Sequence, residues 1–303
     1  MRCGPSWDHH IPISQNSPTL KRRLSVFLCP TNNPTEVTDV NSLPAYRQLS
    51  ILQCFIEGNS IRSSGRLSGA SPTTCLSLLK RAGVAAMKIL DQHVRDVPCK
   101  RIEADEVWTY LRVKRDNLKY AQRGQDGGDV WLWVALCPDT KLVVSWKLGC
   151  RGIPTGTDFM HDLRGRLRNR IQLSTDGHDA YLAAVEAAFG KDIDYARKVV
   201  FTDRITNRPS AVIQVISGSP DRELVGTSHV ERFNGTLRNM CRRYFRKSLA
   251  FSKSMENHQY AVALNMFAYN FCVVHGSLRV TPAMAAGITD HVWTLSELLA
   301  FLE

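Results

Sequence analysis

Three acidic residues lie where a fold could gather them into one site. Asp105 lies in RIEADEVWTYLRV, a run of alternating apolar and polar residues that is typical of a strand. Asp176 directly follows a second strand-like run, IQLST, and precedes a glycine. Glu231 is the only acid of the basic stretch TSHVERFNGTLRNMCRRYFRK, which the spacing of its apolar residues predicts to be one helix over Thr227–Lys247. A capping box of the Ser-x-x-Glu type is predicted at its start.

The chemistry of such a group would be that of a metal site. Carboxylates held together repel each other and raise one another's pKa, unless cations lie between them. Their oxygens suit Mg²⁺ or Mn²⁺ better than zinc. Two such ions, about 3.5–4 Å apart, stabilise the attacking and leaving oxygens of an in-line phosphoryl transfer. Asp105, Asp176 and Glu231 are therefore predicted to be catalytic residues that bind two Mg²⁺ or Mn²⁺ ions.

Each acid also has a purely structural interpretation. Asp105 could be a strand-edge residue that pairs with Arg112 or Arg115. Asp176, before a glycine, could be the Asx residue of a turn. Glu231 could form an ordinary salt bridge with an arginine of its own helix. The distances among the three carboxylates decide between these interpretations.

Competing acids lie close to two of the three positions. Glu103 shares the predicted strand face of Asp105, whereas Glu106 is predicted on the other face. Asp179 suits the N-terminal turn of the helix that follows Asp176. The sequence alone leaves these acids as alternatives.

Charge and composition narrow the class of partner. The net charge of +11 and the isoelectric point near 9.4 favour a polyanion such as nucleic acid. No apolar run approaches the roughly 18–20 residues of a membrane-spanning helix, and no secretory signal pattern is present. The nine cysteines are scattered without a C-x-x-C pair, which indicates a reducing, cytoplasmic setting and no disulfide framework.

The order of predicted elements from Cys99 onward indicates an α/β domain. Three strands come first, followed by a helix, the strand IQLST, a second helix, the strand DYARKVV and the basic helix. Residues 201–226 are predicted to be irregular. This is the order of a ribonuclease-H-like mixed sheet flanked by helices. Because the first and fourth strands are neighbours in such a sheet, Asp105 and Asp176 can meet there, and the basic helix brings Glu231 over them.

The region before this domain is predicted to be helical. A first helix covers about Ala45–Glu57, Ser60 caps a short second one, and Ser71 caps a third that starts at Pro72. A separate helix is predicted over about Val84–Val97.

A short helix, a glycine-containing turn and a helix with a basic outer face is the helix-turn-helix arrangement. Leu76 and Leu79 are predicted on the inward face of the third helix. A three-helix bundle used only for packing is the alternative. The outward-facing residues predicted to contact DNA are Thr73, Thr74, Ser77, Lys80 and Arg81.

The remaining segments complete the predicted domain organisation. Residues 1–42 are predicted to be a disordered or poorly packed arm, because prolines interrupt them repeatedly. The helix-turn-helix domain spans 43–97 and the catalytic domain 98–252. Residues 253–303 are predicted to be a C-terminal helical extension that packs on the catalytic domain.

Several segments closely resemble transposases of the insertion-sequence-one family. They are EGNSIRSSGRLSGAS, STDGHDAY, TSHVERFNGTLR, RRYFRKSLAFSK and YNFCVVHGSLRVTPAMAAG, and the resemblance extends from about residue 43 to the end. It implies a DDE-type transposase with a ribonuclease-H-like core, whose triad falls on Asp105, Asp176 and Glu231. Asn234 and Arg238 match the companions of the glutamate in the family motif ERxNxxLR and share its helical face.

The resemblance also implies a reaction and its partners. Water attacks a phosphodiester at the element end and frees a 3′-OH, which then attacks target DNA. The partners are the element ends and the target DNA, and joining two ends implies a homo-oligomer. Arg242 and Arg243 are predicted to contact the DNA backbone. Many family members carry a cysteine zinc ribbon ahead of the helix-turn-helix, whereas Cys3 and Cys29 are far apart in this sequence. Either this branch of the family lacks the ribbon, or the first 40 residues are not native to the protein.

Two other functions fit the same residues. One is a non-catalytic helix-turn-helix regulator or decayed transposase that only binds DNA. The other is a metal-dependent nuclease of the same fold that cleaves DNA without joining it.

Overall fold

A six-stranded mixed sheet lies at the centre of the computed structural model, which describes residues 43–117, 127–202, 208–245 and 248–302. The strand order is β3-β2-β1-β4-β5-β6. β1, β2 and β3 are antiparallel neighbours, β4 and β5 run parallel to β1, and β6 is antiparallel to β5. With helices on its faces, the sheet is consistent with a ribonuclease-H-like α/β fold. The strands are β1 (Arg101–Leu111), β2 (Gly128–Leu136), β3 (Val143–Gly149), β4 (Gln172–Thr175), β5 (Asp194–Thr202) and β6 (Pro209–Ser217).

The predicted adjacency of the first and fourth strands is confirmed. β1 pairs with β4 in parallel, and the last matched pair is Ala104 with Thr175. Asp105 and Asp176 each directly follow a member of that pair. The register therefore brings the two aspartates to the same level of the sheet.

The prediction that residues 201–226 are irregular was wrong, because they include β6. Among the described strands, β6 is at an edge of the sheet and pairs with β5 alone, and most of its residues are exposed. It therefore lacks the alternation of apolar and polar residues that marks a half-buried strand. Pro209 is at its first position, where a strand tolerates proline.

The predicted starts of the helices agree with the structure better than the predicted ends do. Ser60 and Ser71 cap their helices as predicted. The side chain of each accepts a hydrogen bond from the backbone N–H three residues later, that of Ser63 and that of Thr74. The helices are α1 (Ala45–Ile56), α2 (Ile61–Ser68), α3 (Pro72–His93), α4 (Ile153–Arg166), α5 (Ala180–Phe189), α6 (Ser228–Met240), α7 (Met255–Phe267), α8 (Pro282–Ala285) and α9 (Leu295–Leu299).

α3 is one continuous helix of 22 residues, so the predicted separate helix from Val84 was wrong. Gly83 lies within it and packs against Tyr260 of α7. Leu76, predicted to face inward, is 37% exposed, whereas Leu78 is buried. The glycine thus allows two helices to approach closely and does not end α3.

α6 is shorter than the predicted helix over Thr227–Lys247. It ends at Met240, because Cys241 takes an extended conformation, and a 3₁₀ turn follows over Arg242–Tyr244. The predicted capping box was also wrong, since Thr227 precedes the helix and makes no side-chain cap. Residues 246 and 247 lie outside the described residues.

The two faces of the sheet are covered by different helices. α4 and α5 pack together on one face, where Phe159 and Tyr181 contact Trp133 of β2. α6 contacts β1 and β2 on the other face. None of the described helices is both long enough and apolar enough to cross a membrane.

Leu43–Glu303 form one compact unit. Within it α3 packs on α7, and α1 contacts α9. The boundaries proposed after residues 97 and 252 stay a prediction, and the predicted arm over 1–42 lies outside the described residues.

The contact between α3 and α7 generates a stability prediction. A Cβ on Gly83 would lie 2.6 Å from the Cα of Tyr260, which is backbone and cannot rotate away. We expect Gly83→Ala to lower the free energy of unfolding by about 1–3 kcal/mol, as measured by urea denaturation.

Gly235 of α6 provides the matched control. Apart from its chain neighbours and the backbone of its own helix, no described atom lies within 4 Å of where a Cβ would be. Gly235→Ala should raise the free energy of unfolding by up to about 1 kcal/mol, because alanine favours a helix more than glycine does. Equal effects of the two substitutions would contradict the close packing at Gly83.

Candidate active site

A buried carboxylate fixes the start of α6 to β1. Glu103 is 3% exposed, and its Oε2 accepts hydrogen bonds from the backbone N–H groups of His229 (2.8 Å) and Val230 (3.0 Å). The first N–H groups of a helix have no partner within it, and the helix dipole favours a negative charge there. Burial raises the pKa of Glu103, and these two hydrogen bonds oppose that rise. Glu103 therefore has a structural role.

A second contact joins α6 to β1 farther along. Asn234 Nδ2 donates to Asp105 Oδ2 over 2.8 Å. Asp105 is two positions after Glu103 on the strand, about 6.6 Å at the usual rise. Asn234 is four positions after Val230 on the helix, about 6 Å along its axis. The two elements thus run alongside each other in step, and Glu231 lies on the helix between the two contacts.

An acidic group forms at the junction of β1 and β4. Asp105, Glu106 and Asp176 each offer one oxygen, and these oxygens lie within 4.8 Å of one another. Asp105 lies on the α6 side of β1, Glu106 comes from the next position, and Asp176 follows β4. This is the group of potential metal ligands found in the described ranges, and we call it the acidic group.

One arginine contacts two members of the acidic group. Arg151 Nε lies 3.2 Å from Glu106 Oε2, and its Nη2 lies 3.8 Å from Asp176 Oδ2. Its guanidinium also lies over the ring of Trp131, 4.6 Å from the centroid. Arg151 therefore supplies positive charge where two carboxylates meet.

The surroundings of Glu106 disfavour its charge. Burial raises its pKa to about 7, and the charge of Asp176 adds to the rise. The Tyr181 hydroxyl and Arg151 act in the opposite direction. The Glu106 side chain is fully buried, and its Oε1 has no hydrogen-bond partner among the described residues.

Asp105 is shifted in the same direction. Burial raises its pKa to about 6, and the charges of Asp176 and Glu231 contribute. The hydrogen bond from Asn234 lowers it. A cation among these oxygens would remove the cost of ionising them, so the residues fit a divalent ion bound through oxygen, such as Mg²⁺ or Mn²⁺.

Glu231 lies outside the acidic group. It is exposed at the first turn of α6, where Thr227 Oγ1 donates to its Oε1 over 2.6 Å. Its charge nevertheless contributes to the raised pKa of Asp105. The structure thus brings Asp105 and Asp176 together and leaves Glu231 beside them.

Glu106 was missed as a member of the group, because strict alternation along a strand assigns neighbours to opposite faces. It lies just beyond the end of the pairing with β4, where Asp176, the residue after β4, can approach it. The sequence signal was its position next to Asp105 in EADEVW.

The other predicted site residues lie apart from the acidic group or at its border. Arg238 is half-buried, one helical turn after Asn234. Arg242 is exposed, whereas Arg243 is half-buried and donates to Ser252 Oγ over 2.6 Å. Exposed along α3 are Thr73, Thr74, Ser77, Lys80 and Arg81.

Comparisons with known proteins give little guidance. No protein-family model matches the chain, and no curated protein matches it. Among solved structures, it is similar to one described as "Crystal structure of the Mos1 mariner paired end complex with Mn", with 9% identity, 80% of each chain covered and a TM-score of 0.29. A similarity at this level supports no conclusion about this chain.

The Glu103 contact predicts a graded loss of stability. Glu103→Ala leaves two backbone N–H groups without an acceptor and should lower the free energy of unfolding by about 2–4 kcal/mol. Glu103→Gln keeps an acceptor of the same length and should cost less than half of that. Urea denaturation measures both, with Glu186→Ala on the exposed side of α5 as the control. Equal losses for Gln and Ala would contradict the role of the acceptor.

The buried Glu106 predicts a dependence of stability on pH. Its pKa in the folded protein is about 7, above the ordinary value of 4.5. The folded state therefore binds the proton more tightly, and this stabilisation is lost as pH rises through about 7. Without metal, the free energy of unfolding of the wild type should fall between pH 5 and pH 8 by about 2 kcal/mol more than that of Glu106→Gln, which cannot titrate. Urea denaturation in EDTA at both pH values measures this, and identical pH dependence would refute it.

Proposed function

We propose that this chain is a DNA transposase of the insertion-sequence-one type that uses Asp105, Asp176 and Glu231 for metal-dependent phosphoryl transfer. The observation that carries the proposal is the meeting of Asp105 and Asp176 from paired strands, with Asn234 of ERFNGTLR hydrogen-bonded to Asp105. This supports the predicted role of the motif, because its helix is held against the strand that carries the first aspartate.

The chain's own residues would divide the work as follows. Asp105 and Asp176 would bind two Mg²⁺ or Mn²⁺ ions, with Glu231 as a further ligand beside them. When bound, such ions polarise a phosphodiester and lower the pKa of the attacking hydroxyl or water. Asn234 orients the Asp105 carboxylate through its hydrogen bond. Arg151 is placed to hold a phosphate oxygen beside Asp176.

The reaction is proposed in two steps. Water attacks phosphorus at the element end and breaks the bond to the 3′ oxygen, which leaves a 3′-OH on the element. That 3′-OH attacks a phosphodiester of the target DNA and releases a target 3′-OH, so the number of phosphodiester bonds is unchanged in this step. Arg238, on the face of α6 that carries Asn234, would hold a DNA phosphate.

DNA binding is assigned to the helices before the sheet. α2 and α3 would act as a helix-turn-helix that binds the terminal inverted repeats, and phosphate contacts would make its affinity fall steeply with salt. Two ends must be brought together, so a homo-oligomer on DNA in a bacterial cytoplasm is proposed. The contacts assigned to DNA are Thr73, Thr74, Ser77, Lys80, Arg81, Arg242 and Arg243.

A cleavage and strand-transfer assay tests this function. The full chain is incubated with Mg²⁺ or Mn²⁺, labelled DNA from the flanks of its own reading frame, and a supercoiled plasmid target. We expect cleaved ends and labelled plasmid. Asp105→Asn, Asp176→Asn and Glu231→Gln should each reduce both products by roughly 100-fold or more and leave duplex binding unchanged.

Asp158→Asn is the matched control, because Asp158 is an exposed carboxylate paired with Lys147. It should keep full activity. Cleavage without joining would identify a nuclease instead, and DNA binding without cleavage by the wild type would identify a regulator. Full activity of Glu231→Gln would refute the assigned triad.

A further inference from the structure

Aromatic side chains form a half-exposed strip on the sheet next to the acidic group. Trp108 and Tyr110 follow Glu106 on the same face of β1, and Trp131 of β2 is paired directly with Trp108. The ring of Phe251 stacks on Tyr110 at 5.2 Å. All four side chains are half-buried. We call Trp108, Tyr110, Trp131 and Phe251 the aromatic platform.

The helices that cover this face of the sheet stop short of the platform. Trp133 lies two residues after Trp131 on the same face and is fully buried under Phe159 and Tyr181. Trp131, by contrast, keeps part of its ring in solvent. Along β2, the aromatic side chains thus change from partly exposed at Trp131 to fully buried at Trp133. The partly exposed end of β2 is the one that pairs with Trp108.

Cations surround the uncovered rings. Lys114 Nζ lies 5.7 Å from the ring centroid of Trp108 and 6.0 Å from that of Tyr110. Arg151 lies over Trp131, and Arg112 and Arg115 are exposed at the end of β1. Among the described residues, the acids at this end of β1 are Asp116 and Asp129. Lys114, Arg112 and Arg115 outnumber them, so the described side chains at the end of the platform away from the acidic group carry a net positive charge.

This combination selects one class of partner. Aromatic rings stack on bases whatever their sequence, and the cations bind the phosphates between them. Duplex DNA cannot use the rings, because its bases are stacked inside the helix. An apolar protein surface would not complement the positive charges around the platform. Unpaired nucleotides offer both a flat face and a negative charge.

The platform is continuous with the acidic group. Trp108 follows two residues after Glu106, about 7 Å along the strand. Arg151 contacts Trp131, Glu106 and Asp176 at once. A strand with its phosphate at the acidic group would therefore have its neighbouring nucleotides over the rings.

We propose that the aromatic platform binds unpaired nucleotides of a DNA strand by base stacking, beside the phosphodiester at the acidic group. The identity of that strand as the DNA flanking the cut rests on the proposed function. The stacking itself needs neither cleavage nor metal.

Binding of two oligonucleotides in EDTA tests the inference by fluorescence anisotropy. The probes are a labelled thymidine dodecamer and an abasic dodecamer with the same phosphates. The full-length wild type should bind the thymidine probe about 10-fold or more tightly than the abasic one. Trp108→Leu should remove most of that preference and leave binding of the abasic probe unchanged.

Trp146→Leu is the matched control, since Trp146 is a half-buried tryptophan whose partner in β2, Val134, pairs with Asp105 on the opposite face. It should bind both probes as the wild type does. Lys114→Glu changes an exposed side chain, so this variant should fold as the wild type does. It should weaken binding of both probes several-fold, because it replaces a positive charge near the phosphates with a negative one. Equal affinity of the wild type for the two probes, or equal effects of the two tryptophan substitutions, would overturn the inference.

The outcome is separable from that of the proposed function. A chain that cleaves no DNA but prefers the thymidine probe through Trp108 would support the platform and refute the transposase. A chain that cleaves and joins DNA but shows no preference would refute the platform alone.

Discussion

The hydrogen bonds from the start of α6 to Glu103 are the constraint on which the rest of the site depends. A helix on a sheet can slide or rotate when only apolar side chains hold it, but two backbone N–H groups on one buried carboxylate fix its position along β1. Since helix and strand rise in step over the next turn, that single anchor also determines where Asn234 meets Asp105. The geometry near Asp105 is thus determined by a residue outside the acidic group.

The acidic group concentrates negative charge in a chain whose net charge is strongly positive. Burial makes this concentration costly, as the raised pKa values of Asp105 and Glu106 indicate. Arg151 offsets part of the cost from one side, and the surrounding basic surface would draw a polyanion towards it. Stability is thus given up locally at the acidic group, as the proposed binding of a metal ion and a phosphate would require.

Much of the architecture could be predicted from the sequence, because it depends on local patterns. The adjacency of the first and fourth strands, and with it the meeting of Asp105 and Asp176, followed from element order, and helix starts followed from Ser60 and Ser71. What could not be predicted depends on tertiary contacts. In the sequence, Gly83 suggests the end of a helix, whereas in the structure it allows Tyr260 of α7 to pack against α3. β6 has no buried face to produce a pattern, and the end of α6 depends on Cys241 turning into the core. Glu106 joined the group only through the approach of Asp176.

The close approach of α3 to α7 has a mechanical consequence. α3 belongs to the same compact unit as the sheet, so no flexible linker within the described residues separates the helix assigned to DNA reading from the acidic group. A rigid connection between two contact points on one DNA molecule fixes the spacing between them. The distance between the sequence that is read and the phosphate that reacts would then be a property of the protein's core packing, set by side chains that never touch the DNA.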